Sequence, residues 1–239
     1  MSPPPAGNRL LAALPENEYA RLRPLLGHVP LAFGTVLYEP GDAIRCVYFP
    51  HGGMVSLLSS AGERATLEVG LVGQEGIVGL PLFLGVATSA HHTLVQGAGE
   101  AAVLEAGAFV TAVERSRTLS RLLRRYTHAQ LTELAQRLVC NHFHPIEARL
   151  ARWLLLAHDR MQTDEMQLTQ ALLAQMLGVR REAVTRTAGG LAARRLIRYH
   201  HGQLTILDRP GLEALACPCY RLLRAEDERF ERDVRDGFD

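Results

Sequence analysis

The chain has 239 residues, a formal net charge of +1 and a hydrophobic content of 47%, which favours one large domain or two small ones with ordinary apolar cores. All 26 basic residues are arginines. Because a Walker-type phosphate loop needs a lysine, that class of nucleotide hydrolase is excluded. No apolar run approaches the roughly 20 residues of a membrane span. We see no signal peptide, and the few cysteines favour a reducing cytoplasm.

The sequence changes from helical to β character near Val29. Within residues 1–28 we predict a disordered lead-in, Ser2–Gly7, followed by two short helices, the second opened by Pro15. Over residues 29–110, short runs rich in β-branched and aromatic residues are separated by Gly and Pro, which predicts an all-β barrel or jelly roll. The six predicted strands are Thr35–Tyr38, Val47–Phe49, Val55–Leu58, Thr66–Val69, His92–Val95 and Ala101–Leu104.

A long amphipathic helix follows the β region. Apolar residues recur at steps of three and four between Phe109 and Cys140, and we assign residues 111–141 to this helix. The pattern fits a helix packed only on its own β domain, but we favour a dimer helix that also pairs with a second copy in a coiled-coil-like seam. The residues of the apolar stripe are Leu119, Leu122, Leu123, Tyr126, Leu131, Leu134 and Leu138.

Residues 142–216 contain a pattern typical of a helix-turn-helix. Thr169 is a candidate N-cap, Gly178 a candidate left-handed C-terminal residue, and a second helix is predicted from Arg180. Arginine matches guanine O6 and N7, and glutamate accepts from cytosine N4, so Arg181, Glu182 and Arg186 are candidate base contacts. The alternative is a solvated, charged helix in a small helical domain. Gly189 and Gly190 each cost about 1 kcal/mol in a helix, so we expect its far end to be shortened or softened.

A hairpin is predicted after this motif, over Leu196–Ile206 with its turn near His201-Gly202, and it would form a wing. Asp208 is predicted to cap a further short helix. Residues 141–210 carry an excess of arginine over acidic residues, which favours contact with phosphates. The predicted DNA-binding residues are Thr169, Gln170, Arg180, Arg181, Glu182, Thr185, Arg186, Arg195 and Arg198.

Two strings resemble the Crp/Fnr family of transcription regulators. The first is T169-Q-x4-Q175-x2-G178-V-R-R181-E182-A-V-T-R186, and the second is L37-Y-E-P-G41-D42 with V47-Y-F-P-H-G-G53-M-V-S-L-L58. The resemblance covers about Val29–Ala216. It implies an α+β fold with a β-roll sensor domain, a dimerisation helix and a winged helix-turn-helix. It also implies a cytoplasmic, non-enzymatic homodimer that binds a palindromic operator in double-stranded DNA with half-sites about one helical turn apart, with RNA polymerase as a candidate partner.

The effector cannot be assigned from the sequence. Cyclic-nucleotide binders of this family carry a Gly-Glu-Leu string and an Arg-Ser or Arg-Thr pair, where Gly79-Leu80-Pro81 and Ser89-Ala90 stand here. Without the arginine a buried phosphate would lose a charge-assisted contact. We therefore expect no binding of cyclic AMP in the usual way and assign no cofactor. The candidate pocket residues are Gly79, Leu80, Ser89, Ala90 and His91.

The cysteines and histidines leave several interpretations open. Cys140, His142 and His144 alternate like metal ligands but lack a fourth, so we predict an incidental hinge sequence, ended by Pro145, and no metal site. In the tail, residues 217–239, Cys217 and Cys219 are too close for a relaxed disulfide. A redox pair, a metal pair across a dimer and simple buried cysteines all remain possible, and we favour the last.

Two alternatives to an effector-controlled regulator are considered. One is a redox-, metal- or haem-responsive regulator of the same DNA-binding class. The other is a cupin-like metal enzyme built on the β domain. The enzyme is disfavoured because no His-x-His string with a following Glu and His occurs between Val29 and Leu104.

Overall fold

The computed structural model describes residues 7–60, 62 and 66–235, so most of the predicted disordered lead-in and the last four residues lie outside the described part. Two short N-terminal helices, α1 (Arg9–Ala12) and α2 (Glu16–Leu22), lead into the β domain. The Asn8 side chain accepts hydrogen bonds from the N–H groups of Leu10 and Leu11 and begins α1. Pro15 directly precedes α2, which confirms the predicted start of that helix.

Seven strands form a β-roll of two antiparallel sheets. One sheet has the strand order β1-β7-β3 and the other the order β2-β6-β4-β5. All six predicted strands are confirmed. The strands are β1 (Gly27–Leu31), β2 (Val36–Tyr38), β3 (Cys46–Pro50), β4 (Met54–Ser60), β5 (Thr66–Val72), β6 (His92–Gly97) and β7 (Gly99–Glu105).

The strand β1 is absent from the sequence prediction. It contains Pro30 and pairs only with β7, at the edge of its sheet. Proline has no N–H to donate to a β ladder and is therefore tolerated mainly in edge strands. Because proline usually argues against a strand, the sequence pattern did not predict β1.

The prediction of one long helix over residues 111–141 is wrong. The structure has two helices here, α3 (Ala106–Arg115) and α4 (Arg117–Phe143). They are separated at Ser116, whose backbone is extended. The Ser116 hydroxyl accepts a hydrogen bond from the Leu119 N–H at 2.8 Å and donates to Glu18 of α2. A serine that caps a helix in this way offers the backbone an alternative to continued helix, which explains the break.

The apolar stripe of α4 divides into two parts. Leu119, Leu122, Leu123 and Tyr126 are buried against the chain's own β-roll and N-terminal helices. These four side chains therefore belong to the face of the helix that packs on the chain's own core. Leu131, Leu134 and Leu138 are exposed by 62%, 38% and 63%.

The C-terminal part begins at Pro145, which precedes the next helix as expected. This helix extends to Met161, and a short strand follows it at Glu165–Gln167. Asp208 caps its helix as predicted, by accepting from the Gly211 N–H. The elements are α5 (Ile146–Met161), β8 (Glu165–Gln167), α6 (Gln170–Leu177), α7 (Arg181–Ala193), β9 (Ile197–His200), β10 (Gln203–Ile206), α8 (Arg209–Leu215) and α9 (Cys219–Arg235).

The C-terminal part and the β-roll share one apolar core. Met54, Leu58 and Leu71 of the four-stranded sheet pack in the same cluster as Trp153 and Leu154 of α5. This contact fixes the helix-turn-helix beside the β-roll. Across the described residues, no helix is both long enough and apolar enough to cross a membrane.

Candidate nucleic-acid interface

The helix-turn-helix is formed by α6 and α7, and both predicted terminal signals are present. The Thr169 hydroxyl accepts a hydrogen bond from the Leu172 N–H at 3.1 Å and caps α6. Gly178 ends α6 with φ +61°, and a Cβ at this position would lie 2.8 Å from Leu67 of the β-roll. Glycine at residue 178 therefore meets both a conformational and a packing requirement.

The outer face of α7 presents the predicted base contacts to solvent. Val184, Ala188 and Leu191 face inward and are buried. On the opposite face Arg181, Glu182, Thr185 and Arg186 are all exposed. Arg180 is the N-cap of α7 rather than its first residue, and it lines a groove of about 1070 Å³ between this domain and the β-roll.

Gln170 of α6 connects the two helices on their exposed side. Its side-chain oxygen accepts hydrogen bonds from the Thr185 hydroxyl at 2.9 Å and from Arg181 Nε at 3.5 Å. The Thr185 hydroxyl also contacts the Arg181 carbonyl at 3.0 Å. The Gln170 side chain therefore contacts two side chains of the exposed face of α7.

Gly189 and Gly190 do not shorten α7, contrary to expectation. The helix continues through both residues to Ala193, and a Cβ at either would meet no atom within 4 Å. Leu191 is fully buried directly after them, and its packing compensates for the low helix propensity of glycine.

The wing is confirmed as the hairpin β9–β10, with β8 as a third strand on its other side. His201 and Gly202 at its turn have φ +48° and +79°, as a two-residue hairpin of the type I′ class requires. Arg198 is exposed on β9, and Arg195 has φ +57° in the turn between α7 and the wing. Both guanidinium groups are thus presented near α7.

The candidate effector pocket in the β-roll is nearly filled. Gly79, Leu80, Ser89 and His91 line one cavity of about 40 Å³, whereas a small-molecule site usually has about 300–1000 Å³. Ala90 is exposed and is not among the cavity's lining residues. Among the described lining residues there is no arginine or carboxylate. Burial lowers the pKa of His91, which disfavours its cationic form.

Tyr126 of α4 also lines this cavity. Its side chain is buried, its hydroxyl accepts from Gln130 Nε2 at 3.0 Å, and burial raises its pKa well above the ordinary value. A Cβ on Gly76 would lie 2.0 Å from the Tyr126 hydroxyl. Only glycine at residue 76 therefore leaves room for the Tyr126 side chain.

A buried ionic network missed by sequence reasoning connects the β-roll, α4 and α5. Glu68 of β5 accepts from Arg137 Nη1 at 2.6 Å and Trp153 Nε1 at 2.9 Å. Glu133 accepts from Arg137 at 2.6 Å and from Arg160 at 3.0 Å. Burial raises the pKa of Glu133, but Arg160 and Arg137 outweigh that effect and lower it overall. The only available sequence signal was a charged residue inside an apolar strand.

Comparison with known proteins now identifies the domain. Residues 148–215 match the model of the Crp-like helix-turn-helix domain. The chain therefore contains a Crp-like helix-turn-helix domain. The match and the architecture described above confirm the predicted fold class and the predicted helix-turn-helix domain. No curated protein matches the chain at a significant level.

Solved Crp/Fnr structures share the whole architecture at low sequence identity. FixK2 from Bradyrhizobium japonicum is 15% identical with a TM-score of 0.68, over 80% of this chain and 98% of that one. A CRP-family regulator from Thermus thermophilus is 20% identical with a TM-score of 0.64, over 79% and 96%. The c-di-GMP-responsive regulator CLP from Xanthomonas campestris is 17% identical with a TM-score of 0.61, over 80% and 99%. Identities this low establish the fold alone.

Proposed function

We propose that this chain is a transcription regulator of the Crp/Fnr type that acts as a homodimer and binds a palindromic DNA operator through α7. The observation that carries the proposal is the exposed set Arg181, Glu182 and Arg186 on α7. Arginine and glutamate on one helix face match guanine and cytosine edges in the major groove. Arg195 and Arg198 would contact phosphates and set the register.

The exposed part of α4 supports dimerisation. Leu131, Leu134 and Leu138 are spaced by three and four residues, which is the spacing of a coiled-coil seam, and all three face solvent in the single chain. A seam along this half of α4 would place two copies of α7 on one DNA duplex. Half-sites about one helical turn apart would then follow from the two-fold symmetry.

The DNA proposal is tested by fluorescence anisotropy with a labelled palindromic duplex that has TGTGA-like half-sites, against random duplex, followed by selection from random DNA. Arg181→Ala is expected to lose about 1–3 kcal/mol of binding and to relax preference at one base pair. Arg195→Ala should weaken all duplexes alike and reduce the salt slope by about one unit. The matched control is Arg45→Ala, which removes an exposed arginine on the β-roll. It should change neither the sequence preference nor the affinity and its salt slope. Unchanged sequence preference in Arg181→Ala would refute its assignment as a base contact.

The seam is tested separately by analytical ultracentrifugation. Leu138→Glu places like charges opposite each other in the proposed seam and should raise the dimer dissociation constant about tenfold or more. Leu222→Glu on α9 is the control, because Leu222 is exposed by 58% against 63% for Leu138. Equal effects of the two substitutions, or no effect of Leu138→Glu, would exclude this half of α4 as the dimer interface.

A further inference from the structure

Four potential metal ligands meet at the hinge between α4 and the Crp-like domain. Cys140 lies in the last turns of α4, His144 is the residue that ends it, and Cys217 and Cys219 stand at the beginning of α9. The ligand atoms of these four residues all lie within 4.8 Å of one another. The three cysteines are buried and the histidine is partly buried.

Local structure brings each pair of ligands onto one face. The His144 N–H donates to the Cys140 carbonyl at 3.1 Å, so the last helical turn sets these two side chains on the same side of α4. Pro218 separates Cys217 from Cys219, and the Tyr220 N–H donates to the Cys217 carbonyl at 3.0 Å where α9 begins. This turn directs both sulfur atoms toward the end of α4.

Two of the ligand separations lie close to those of neighbouring ligands around one tetrahedral ion. Cys140 Sγ lies 3.4 Å from Cys217 Sγ, and Cys219 Sγ lies 3.5 Å from His144 Nδ1. Zinc binds sulfur at about 2.3 Å and nitrogen at about 2.0 Å, so neighbouring ligands around it are about 3.5–3.8 Å apart. A disulfide would need about 2.05 Å between sulfurs. We propose that Cys140, His144, Cys217 and Cys219 bind one Zn²⁺ in a closed Cys3His site.

The surroundings supply what such a site requires. Three thiolates, one neutral imidazole and Zn²⁺ leave a net charge of about −1. Ala148 of α5 packs on the cysteine cluster, and Arg152 lies one helical turn further along α5. Arg152 is 3% exposed, and two of its nitrogens, Nε and Nη1, have no hydrogen-bond partner among the described residues. The thiolate-rich centre would offset this buried positive charge.

An outer hydrogen bond also supports the site. Gln136, one turn before Cys140 on α4, donates from Nε2 to Cys219 Sγ at 3.0 Å. Amide donors to metal-bound sulfur orient the ligand and moderate its charge. The sulfur of Cys219 is therefore held toward the other three ligands from a second direction.

The ion would join the beginning of α9 to the end of α4. α9 lies along α4, where Arg125 pairs with Glu226 at 2.8 Å and with Asp233 at 2.7 Å. Zinc at the opposite end of this contact would secure α9 and the end of α4 at the point from which the Crp-like domain extends. A structural zinc site of this kind contributes directly to the stability of the fold.

The experiment uses the full chain, purified under reducing conditions without added metal. Mass-spectrometric metal analysis is expected to find one zinc per chain. After zinc removal by a chelator, titration with Co²⁺ should produce thiolate charge-transfer bands and the visible absorption of tetrahedral Co²⁺, and both should disappear when Zn²⁺ is added. Cys217→Ser, Cys219→Ser and His144→Ala should each weaken Co²⁺ binding by about 10-fold or more.

Two matched controls should bind metal like the unaltered chain. His142→Ala removes an exposed histidine of the same hinge, and Cys46→Ser removes the cysteine on β3. Circular dichroism establishes that each variant folds, and the Co²⁺ titration of the unaltered chain does not depend on any variant. Less than about 0.1 metal per chain together with no cobalt spectrum would overturn the proposal. A disulfide between Cys140 and Cys217 in protein kept under reducing conditions would also overturn it. The same would follow if the two control variants lost as much Co²⁺ binding as the ligand variants. No DNA enters these measurements, so their outcome is independent of the proposed operator binding.

Discussion

Removing the Glu68 carboxylate should strongly destabilise the chain. The side chain of Glu68 is 0% exposed and that of Arg137 only 5%. Glu68 accepts from Arg137 at 2.6 Å, from Ser56 at 2.7 Å and from Trp153 at 2.9 Å. Glu68→Ala would leave all three buried donors without this acceptor, at the contact between the β-roll and both helices α4 and α5.

The expected loss follows from the burial of these groups. An unsatisfied buried neutral donor costs about 1–3 kcal/mol, and breaking a buried ion pair costs about 3–5 kcal/mol. Arg137 retains Glu133 at 2.6 Å, which limits the charge penalty. We therefore expect Glu68→Ala to lower the free energy of unfolding by about 3–5 kcal/mol. Glu68→Gln keeps an acceptor oxygen and should lower it by about 1–3 kcal/mol.

The assay is urea unfolding followed by circular dichroism, at one fixed protein concentration because association changes apparent stability. Trp153 is the only tryptophan in the chain, so its fluorescence reports directly on the Glu68 site. The control is Glu147→Ala, which breaks the Arg194–Glu147 pair at 3.2 Å, where both side chains are about half exposed. That pair should contribute less than about 1 kcal/mol. If Glu68→Ala lowered the free energy of unfolding no more than Glu147→Ala does, the buried ionic network would not hold the β-roll to α4 and α5.

Two further predictions concern α9 and the β-roll cavity. Burial raises the pKa of Asp227 from its ordinary value of 3.8 to about 7. The folded chain therefore binds the carboxyl proton of Asp227 more tightly than the unfolded chain does. The stability that this proton contributes declines as pH rises from about 4 to about 7. Asp227→Asn should remove this decline in a pH series of urea unfolding, and a wild-type-like pH series in the variant would show that Asp227 is not its source. Isothermal titration calorimetry should detect no micromolar binding of cyclic AMP, because the cavity at Gly79 and Ser89 has about 40 Å³ and no arginine among its described lining residues. Micromolar affinity would show that the cavity opens and binds phosphate by other groups.

The helix-turn-helix was predictable from the sequence because its signals are local. A threonine that caps α6, a glycine with φ +61° after it, and apolar residues at helical spacing all act within a few residues. The wing was equally accessible through its turn residues. The β-roll strands followed from alternating apolar runs, except β1, whose proline is acceptable only because tertiary structure places the strand at an edge.

Tertiary structure decided what depends on residues far apart in the chain. The break at Ser116 involves Glu18, which is 98 residues away, and the division of the α4 stripe depends on where the β-roll covers the helix. The pairing of Glu68 with Arg137 and the meeting of Cys140 with Cys217 span 69 and 77 residues. Sequence patterns record periodicity and local geometry, whereas buried charge pairs and shared ligand sets exist only after packing excludes water and brings distant segments together.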